Sequence, residues 1–253
     1  MNLFLLRVIF CLVFMSSSFA VGVSSAEGTA PELTPDSITA KHIITKLADV
    51  YKVCKLYSDS GVVKTVCFTK KDKRVDEKPF ITVFVRPDRF RFEYCSKFPM
   101  PGAKPMRHIV YANGKDIRIW WDVQPGIKKE ASLGMAIAGA TGVSAGSAHT
   151  IPVLLMPKAI GGWSITELKQ VNRIADAMLD SFDCYRIEGK QKASDSELIT
   201  LWISKKTYLI HRIDSSHQFT DFRTETNTTY KPKVDIKINE SELSFSAQES
   251  NSN

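Results

Sequence analysis

The sequence predicts an α+β protein. Its main element is a strongly curled antiparallel β-sheet, a half-barrel of about 9–11 strands, with helices covering the concave mouth. Three observations predict this. Most candidate strands are joined by short connections, whereas parallel pairing needs long crossovers. A single amphipathic helical stripe, near the start of the chain, needs a surface to lie on. The segment Ala131–Pro157 contains no Asp, Glu, Lys or Arg, and its only ionisable side chain is His149.

The chain begins with an export signal. Arg7 is followed by the apolar run Val8–Met15 and then by small residues. Ser24-Ser25-Ala26 is the expected cleavage site, with Ser18-Phe19-Ala20 as the alternative. The apolar run is too short for a good membrane anchor, so residues 1–26 are expected to be removed and the product to be periplasmic and soluble. The formal net charge is +7, and loss of Arg7 lowers it by one. The basic residues are scattered. The one dense run, Lys70-Lys71-Asp72-Lys73-Arg74, reads as a solvated loop, and no nucleic-acid partner is expected. Residues 27–253 form one domain, large enough to stand without staples.

Thr34-Pro35-Asp36-Ser37 has the form of a helix start, with a capping Thr and Pro at the first helical position. Ile38, Ile43, Ile44, Leu47, Val50 and Tyr51 follow at helical spacing. Strands are then expected at Tyr51–Tyr57 and Val62–Thr69, around a hairpin turn at Asp59-Ser60-Gly61. Phe80–Arg86 and Arg89–Cys95 flank Arg86-Pro87-Asp88. Phe90, Phe92 and Tyr94 alternate with Arg91 and Glu93, giving one buried and one wet face. Asn113-Gly114 joins His108–Ala112 to Lys115–Trp121, a register that sets Val110 opposite Ile117. Later strands are expected at Phe182–Glu188, Glu197–Ile203, Tyr208–Asp214, Gln218–Glu225 and Val234–Ile238.

The exported chain keeps Cys54, Cys67, Cys95 and Cys184. Four cysteines allow three connectivities. Cys54 and Cys67 are equidistant from Ser60-Gly61, which favours a Cys54–Cys67 bridge across the hairpin and leaves Cys95 with Cys184. No Cys-x-x-Cys pair, metal-ligand spacing or phosphate loop occurs, so no metal and no cofactor are expected.

Three readings compete for Ala131–Pro157. A membrane span is poorly supported, because Gly139–Thr150 has only Val143 as a large apolar side chain. Gly142-Val143-Ser144-Ala145-Gly146 matches G-x-S-x-G, the nucleophile elbow of serine hydrolases. Asp176, Asp180 or Asp183, with His211 or His217, would complete the triad order of a secreted hydrolase. That elbow needs a strand into the serine and a helix out, and the surroundings read as an antiparallel meander, so no catalytic residue is assigned. The third reading is a lid: small residues for close approach, then the apolar block Ile151, Val153, Leu154, Leu155 and Met156, with Pro152 and Pro157 bracketing a short element.

Several segments together resemble the LolA/LolB-like lipoprotein carriers of the periplasm, and most closely their outer-membrane lipoprotein-sorting branch. They are Tyr57-Ser58-Asp59-Ser60-Gly61, the run Phe84–Glu93 with its Arg-Pro step, and Tyr111-Ala112-Asn113-Gly114-Lys115 leading to Trp120-Trp121. Gly142–Pro157, Thr200-Leu201-Trp202-Ile203 and Leu243-Ser244-Phe245 complete the set. The resemblance implies an incomplete barrel lidded by helices, acting as a non-enzymatic carrier or chaperone of lipoprotein acyl chains or other lipids. It places Arg86 beside the lid. Alternation puts Arg86 on one face with Phe80, Thr82 and Phe84, a cation at the rim of an apolar surface. The expected ligand and lid residues are Arg86, Phe84, Phe90, Phe92, Tyr94, Ile151, Val153, Leu154, Leu155 and Met156. A lipid or lipoprotein acyl chain is the expected partner, with transient contact to a membrane-bound donor or acceptor protein, for a monomer. A periplasmic sensor module on the same fold is the alternative. The uncharged stretch is longer than a simple lid helix, and the tail lacks the Pro-Pro usual after the last strand.

Overall fold

The computed structural model describes residues 38–96, 105–191 and 194–245. The export signal, its cleavage sites and the helix start at Thr34–Ser37 lie outside them. Within the described residues the first helix, α1, is Ala40–Val53. Thr39 is its N-cap, and its side chain accepts from the His42 N–H at 3.2 Å. The buried stripe is Ala40, Ile43, Ile44, Leu47 and Tyr51, as the spacing predicts.

Six strands follow: β1 (Leu56–Thr69), β2 (Lys73–Val85), β3 (Arg89–Ser96), β4 (Met106–Asn113), β5 (Asp116–Trp121) and β6 (Gln124–Lys129). Three helices come next: α2 (Leu133–Val143), α3 (Ser147–Leu155) and α4 (Pro157–Ile160). The remaining strands are β7 (Lys169–Leu179), β8 (Phe182–Gln191), β9 (Ser194–Ser204), β10 (Ile210–Gln218), β11 (Phe222–Tyr230) and β12 (Lys233–Val234). The described residues thus hold one twelve-stranded sheet, in the order β6-β5-β4-β3-β2-β1-β11-β10-β9-β8-β7, with β12 beside β1. Every pairing is antiparallel. The path ends at β6 on one side and β7 on the other, so it does not close into a barrel. The described residues belong to one compact unit.

Two meanders, β1–β6 and β7–β11, meet at the β1–β11 ladder. The connection from β6 to β7 therefore joins opposite edges of the sheet. Ten inter-strand spacings of about 4.8 Å would separate those edges by about 48 Å if the sheet were flat. A segment that crosses such a face has to be apolar or be satisfied along its length, and the uncharged segment is the one that crosses.

Several expectations are corrected. Asp59-Ser60-Gly61 is not a turn: β1 runs unbroken from Leu56 to Thr69, and the real turn lies at the Lys70–Asp72 tip. Gly61 has a different job. A Cβ there would sit 2.3 Å from the Thr229 carbonyl oxygen and 2.4 Å from Phe80 Cζ, so the Phe80 ring packs directly on the strand backbone. With the hairpin goes the geometry for a Cys54–Cys67 bridge. Cys54 follows α1, and Cys54, Cys67 and Cys184 are free thiols, so neither expected bridge is formed.

The hairpin at Asn113-Gly114 is shifted. Asn113 pairs with Asp116, so the two loop residues are Gly114 and Lys115, and Val110 faces Ile119 rather than Ile117. Glycine takes the first loop position with φ +61°, where other residues are strained. Gln218–Glu225 contains the turn between β10 and β11, not one strand. Strands β6 and β7 were not expected; β7 is an edge strand with two register shifts against β8.

The far face of β2–β4 is also less wet than predicted. The 3₁₀ turn Glu240–Leu243 packs on β2 and β3, Phe245 lies 5.6 Å from the Tyr111 ring, and Val83, Arg91 and Ile109 are buried.

Candidate functional site

One hydrophobic cluster joins α1, α2 and α3 to the near face of the sheet. Strand alternation supplies Tyr57 and Val63 from β1, Phe80 and Phe84 from β2, and Phe90, Phe92 and Tyr94 from β3. Val110 and Ala112 extend it along β4, and Ile187, Leu201 and Ile203 on the other meander. Phe84, Phe90 and Phe92 have no exposed surface. Phe80 lies 6.1 Å from Phe92 and 5.5 Å from Tyr230. The expected aromatic face is therefore present, and the chain's own helices pack on it.

The uncharged segment forms those helices. Ser132 caps α2, accepting from the Met135 N–H at 3.2 Å. A Cβ on Gly134 would meet the Ile160 carbonyl oxygen at 2.9 Å, so this glycine lets α2 and α4 touch. Helix α3 is apolar over its C-terminal half, where Ile151 to Leu155 are enclosed by protein, and carries Ser147, His149 and Thr150 in its N-terminal half. Ile151, Val153, Leu154, Leu155 and Met156 are all buried, at 0–7% exposure. The prolines do not bracket this block: Pro152 is inside α3, and Pro157 opens α4. His149 Nε2 meets the Gly161 carbonyl at 3.0 Å, which ties α3 to the end of α4.

Ser144 sits between two helices rather than at the end of a strand. It is fully buried. Its Oγ donates to the Thr141 carbonyl at 3.3 Å and accepts from the Ala148 N–H at 3.1 Å. It is a helix-terminus cap, and the strand–turn–helix geometry of a nucleophile elbow is not formed there. His211 is stacked on Phe182 with centroids 3.9 Å apart, and burial lowers its pKa.

Arg86 is the one cation placed under this cover by prediction. Its Nε donates to the Cys54 carbonyl at 3.0 Å. One terminal nitrogen donates to the Tyr51 and Leu155 carbonyls, each at 3.3 Å. Those oxygens belong to the C-terminal ends of α1 and α3, where helices leave carbonyls unpaired and carry partial negative charge. The guanidinium also stands 5.1 Å from the Phe84 ring centroid. A single residue at the end of β2 thus holds both helices. Cys54 donates its thiol to the Tyr51 carbonyl at 3.3 Å; burial pushes that thiol up, against the pull of Arg86.

A polar cluster that sequence reasoning missed lies under the same cover. Tyr57 donates to Asp59 Oδ2 at 2.8 Å. The Ile210 N–H donates to the Tyr51 hydroxyl at 3.1 Å, and the Tyr51 and Tyr57 rings are 5.7 Å apart. Asp59 is 4% exposed. Burial pushes its carboxyl up to about 7, and the Tyr57 hydroxyl and nearby Thr82 oppose the rise only in part. The signal was an Asp on the same strand parity as Tyr57 and Gly61, but Asp59-Ser60-Gly61 reads equally as a turn. Toward the other end of β3, His108 stacks on Tyr94 at 5.8 Å, and burial lowers its pKa to about 4.

The opposite face carries grooves of another kind. One of about 450 Å³ is lined by Val62, Pro79, Ile81, Glu93 and Lys231 among others. Trp202 also faces outward, its ring between Arg186 and Arg212 at 4.6 and 5.2 Å.

No family model and no curated protein matches the chain. Solved structures do resemble it. A DUF1329 family protein from Desulfovibrio piger is 11% identical, with a TM-score of 0.37, over 81% of this chain and 95% of that one. An outer membrane lipoprotein-sorting protein domain, so described, from Vibrio parahaemolyticus is 11% identical, with a TM-score of 0.36, over 79% and 94%. A LolA superfamily protein from Nitrosomonas europaea is 9% identical, with a TM-score of 0.30, over 82% and 98%. Among the described residues no helix is long and apolar enough to cross a membrane.

Proposed function

We propose that the protein is a periplasmic, non-enzymatic binder or carrier of lipid acyl chains, including those of lipoproteins. In this reading the sheet is a half-barrel wrapped around α1–α3, and an acyl chain takes the place of α3 on Phe84, Phe90, Phe92 and Tyr94. The observation that carries it is the Arg86 clamp. Three hydrogen bonds from one side chain at the end of β2 hold the ends of α1 and α3; beyond these and a bond from Thr150 to Tyr230, α3 meets the sheet through the apolar side chains Ile151, Leu154 and Leu155. Apolar contact is something a hydrocarbon chain reproduces. The cover is therefore a two-state element that an apolar ligand shifts by its preference for the open state.

Native mass spectrometry of protein purified without detergent tests this. The reading expects a co-purifying lipid, or uptake of an added fluorescent fatty acyl probe by the monomer. Absence of both would leave the sensor reading in its place.

A further inference from the structure

Four strands run past the core at one end of the sheet. They are β2, β1, β11 and β10, neighbours in that order. The hydrophobic core takes its last side chains there from Phe80, Val63, Tyr230 and Ile213, and none from 64–69, 73–79, 214–218 or 222–227. At about 3.3 Å per residue, the two hairpins carry their turns roughly 20 Å beyond the core. Register sets the turns side by side, because Thr69 faces Phe222 across the β1–β11 ladder.

The stem of this blade is mostly polar. Lys64 pairs with Glu77 at 2.9 Å, and the Thr65 and Thr226 hydroxyls meet at 3.1 Å. Large apolar side chains gather at the tip instead. Phe219 and Phe222 are 40% and 36% exposed, and their rings stack with centroids 4.2 Å apart. Their turn is well built: the Phe219 N–H donates to the Phe222 carbonyl at 2.9 Å, and the Gln218 amide to the Phe219 carbonyl at 2.7 Å. Single exposed apolar residues are ordinary, but a stacked pair held out on a polar stem is a surface with no partner in the fold.

Cations surround that pair. The β1–β2 turn carries Lys70, Lys71, Lys73 and Arg74, and β11 adds Arg223; the acids beside them are Asp72 and Asp221. All are exposed. Lys70 reaches Asp221 at 3.9 Å, which links the two turns. Lys73 and Arg223 stand over the Phe68 ring at 5.5 and 4.7 Å. Exposed aromatic rings set among lysines and arginines match the interface of an anionic bilayer, where rings enter the acyl boundary and cations meet the phosphates. The shape agrees. A protruding tip buries little against a flat, rigid protein surface, whereas a bilayer admits it.

We propose that the paired tips of the β1–β2 and β10–β11 hairpins dock the protein on an anionic phospholipid bilayer, with Phe219 and Phe222 entering the interface. The proposal goes beyond the carrier reading and does not depend on uptake of an acyl chain.

Co-sedimentation with vesicles of phosphatidylethanolamine and phosphatidylglycerol, against vesicles of phosphatidylcholine alone, tests this. Wild type is expected to bind the anionic vesicles, more weakly at raised salt, and to leave the phosphatidylcholine vesicles in solution. Lys71→Gln with Arg74→Gln should weaken partition about 25-fold, at about fivefold for each cation. Phe219→Ser with Phe222→Ser should weaken it at least about tenfold, with thermal unfolding unchanged because both rings lie outside the core. Thr220→Glu, an exposed position between the two rings, should weaken binding as well and serves if the serine variant misfolds. Failure of wild type to bind anionic vesicles overturns the docking tip and leaves the carrier reading standing. Equal binding to phosphatidylcholine overturns the part given to charge. Anionic-vesicle binding that survives the tip substitutions places the contact elsewhere and overturns the assignment.

Discussion

Replacing Arg86 with leucine isolates the clamp. The substitution removes three hydrogen bonds from a charged donor to carbonyls of Tyr51, Cys54 and Leu155. Bonds to charged groups are worth about 1.5–3 kcal/mol each. Relief of partial burial of the charge offsets some of this, so a net loss of about 2–4 kcal/mol from the closed state is expected. The apolar part of the contact is larger. Ile151, Val153, Leu154, Leu155 and Met156 are buried, and full burial is worth about 1.5–3 kcal/mol for each such side chain. The variant should therefore stay closed most of the time, while its open fraction rises by about 30-fold to 1,000-fold, at 1.4 kcal/mol per factor of ten. Native-state hydrogen exchange reads this directly. Amides of α3 and the last turn of α1 should lose protection by that factor, while the β1–β2 ladder loses less. Association of a fluorescent acyl probe should quicken in parallel. If α3 exchanges only with global unfolding in both proteins, and the probe rate is unchanged, Arg86 is a structural arginine and the cover is not a separate element.

Three further outcomes follow from the same geometry. Ser144→Ala removes the acceptor for the Ala148 N–H and should cost about 1 kcal/mol in denaturant unfolding, as loss of a helix cap does. A fluorophosphonate probe should leave wild type unlabelled, and labelling that vanishes in the variant would restore the hydrolase. Gly61→Ala forces the Phe80 ring and the Thr229 carbonyl apart and should cost about 1–3 kcal/mol; a neutral result by thermal unfolding would refute the close packing. The pH profile is the third. The Asp59 carboxyl is raised from 3.8 to about 7, so its stability contribution is full below the unfolded value and is lost as pH rises through 7. His108 is lowered from 6.5 to about 4, so its contribution is full above 6.5 and is lost as pH falls toward 4; His211 acts in the same direction. The two trends oppose each other between pH 4 and 6.5, and wild-type stability should change little there. Asp59→Asn should unmask the histidines, with about 3 kcal/mol lost on acidification over that range. A flat profile for the variant would contradict the burial of His108.

The fold was legible where one signal dominated. Alternation in Phe90–Tyr94 located the buried face of the sheet, and the missing charges of Ala131–Pro157 located the helices that cover it. The Arg-Pro step located the clamp: Arg86 follows the last residue of β2 directly, and its side chain stays on the side of Phe84. The sequence misled where one residue type serves two ends. Asp59-Ser60-Gly61 has turn composition, but its aspartate is a buried partner of Tyr57 and its glycine makes room for Phe80. Only the ladder partners, distant in sequence, distinguish these roles. Strand β7 carries Ala, Met and Leu, residues of good helix propensity, and its pairing with β8 overrides them. The tail from Glu240 to Phe245 did not show which strands it would pack on, because it is polar apart from Leu243 and Phe245; it lies on β2 and β3 and reaches Tyr111.

The most direct test of the central claim is where a bound chain lies. Palmitic acid carrying a diazirine near its methyl end can be photolysed on the protein and its adducts mapped by peptide sequencing. The account predicts adducts on the inward residues Phe84, Phe90, Phe92 and Tyr94, or on Ile151–Met156 of the displaced cover. Adducts confined to the outer groove at Val62, Pro79 and Ile81, with the inward face unlabelled, would contradict it.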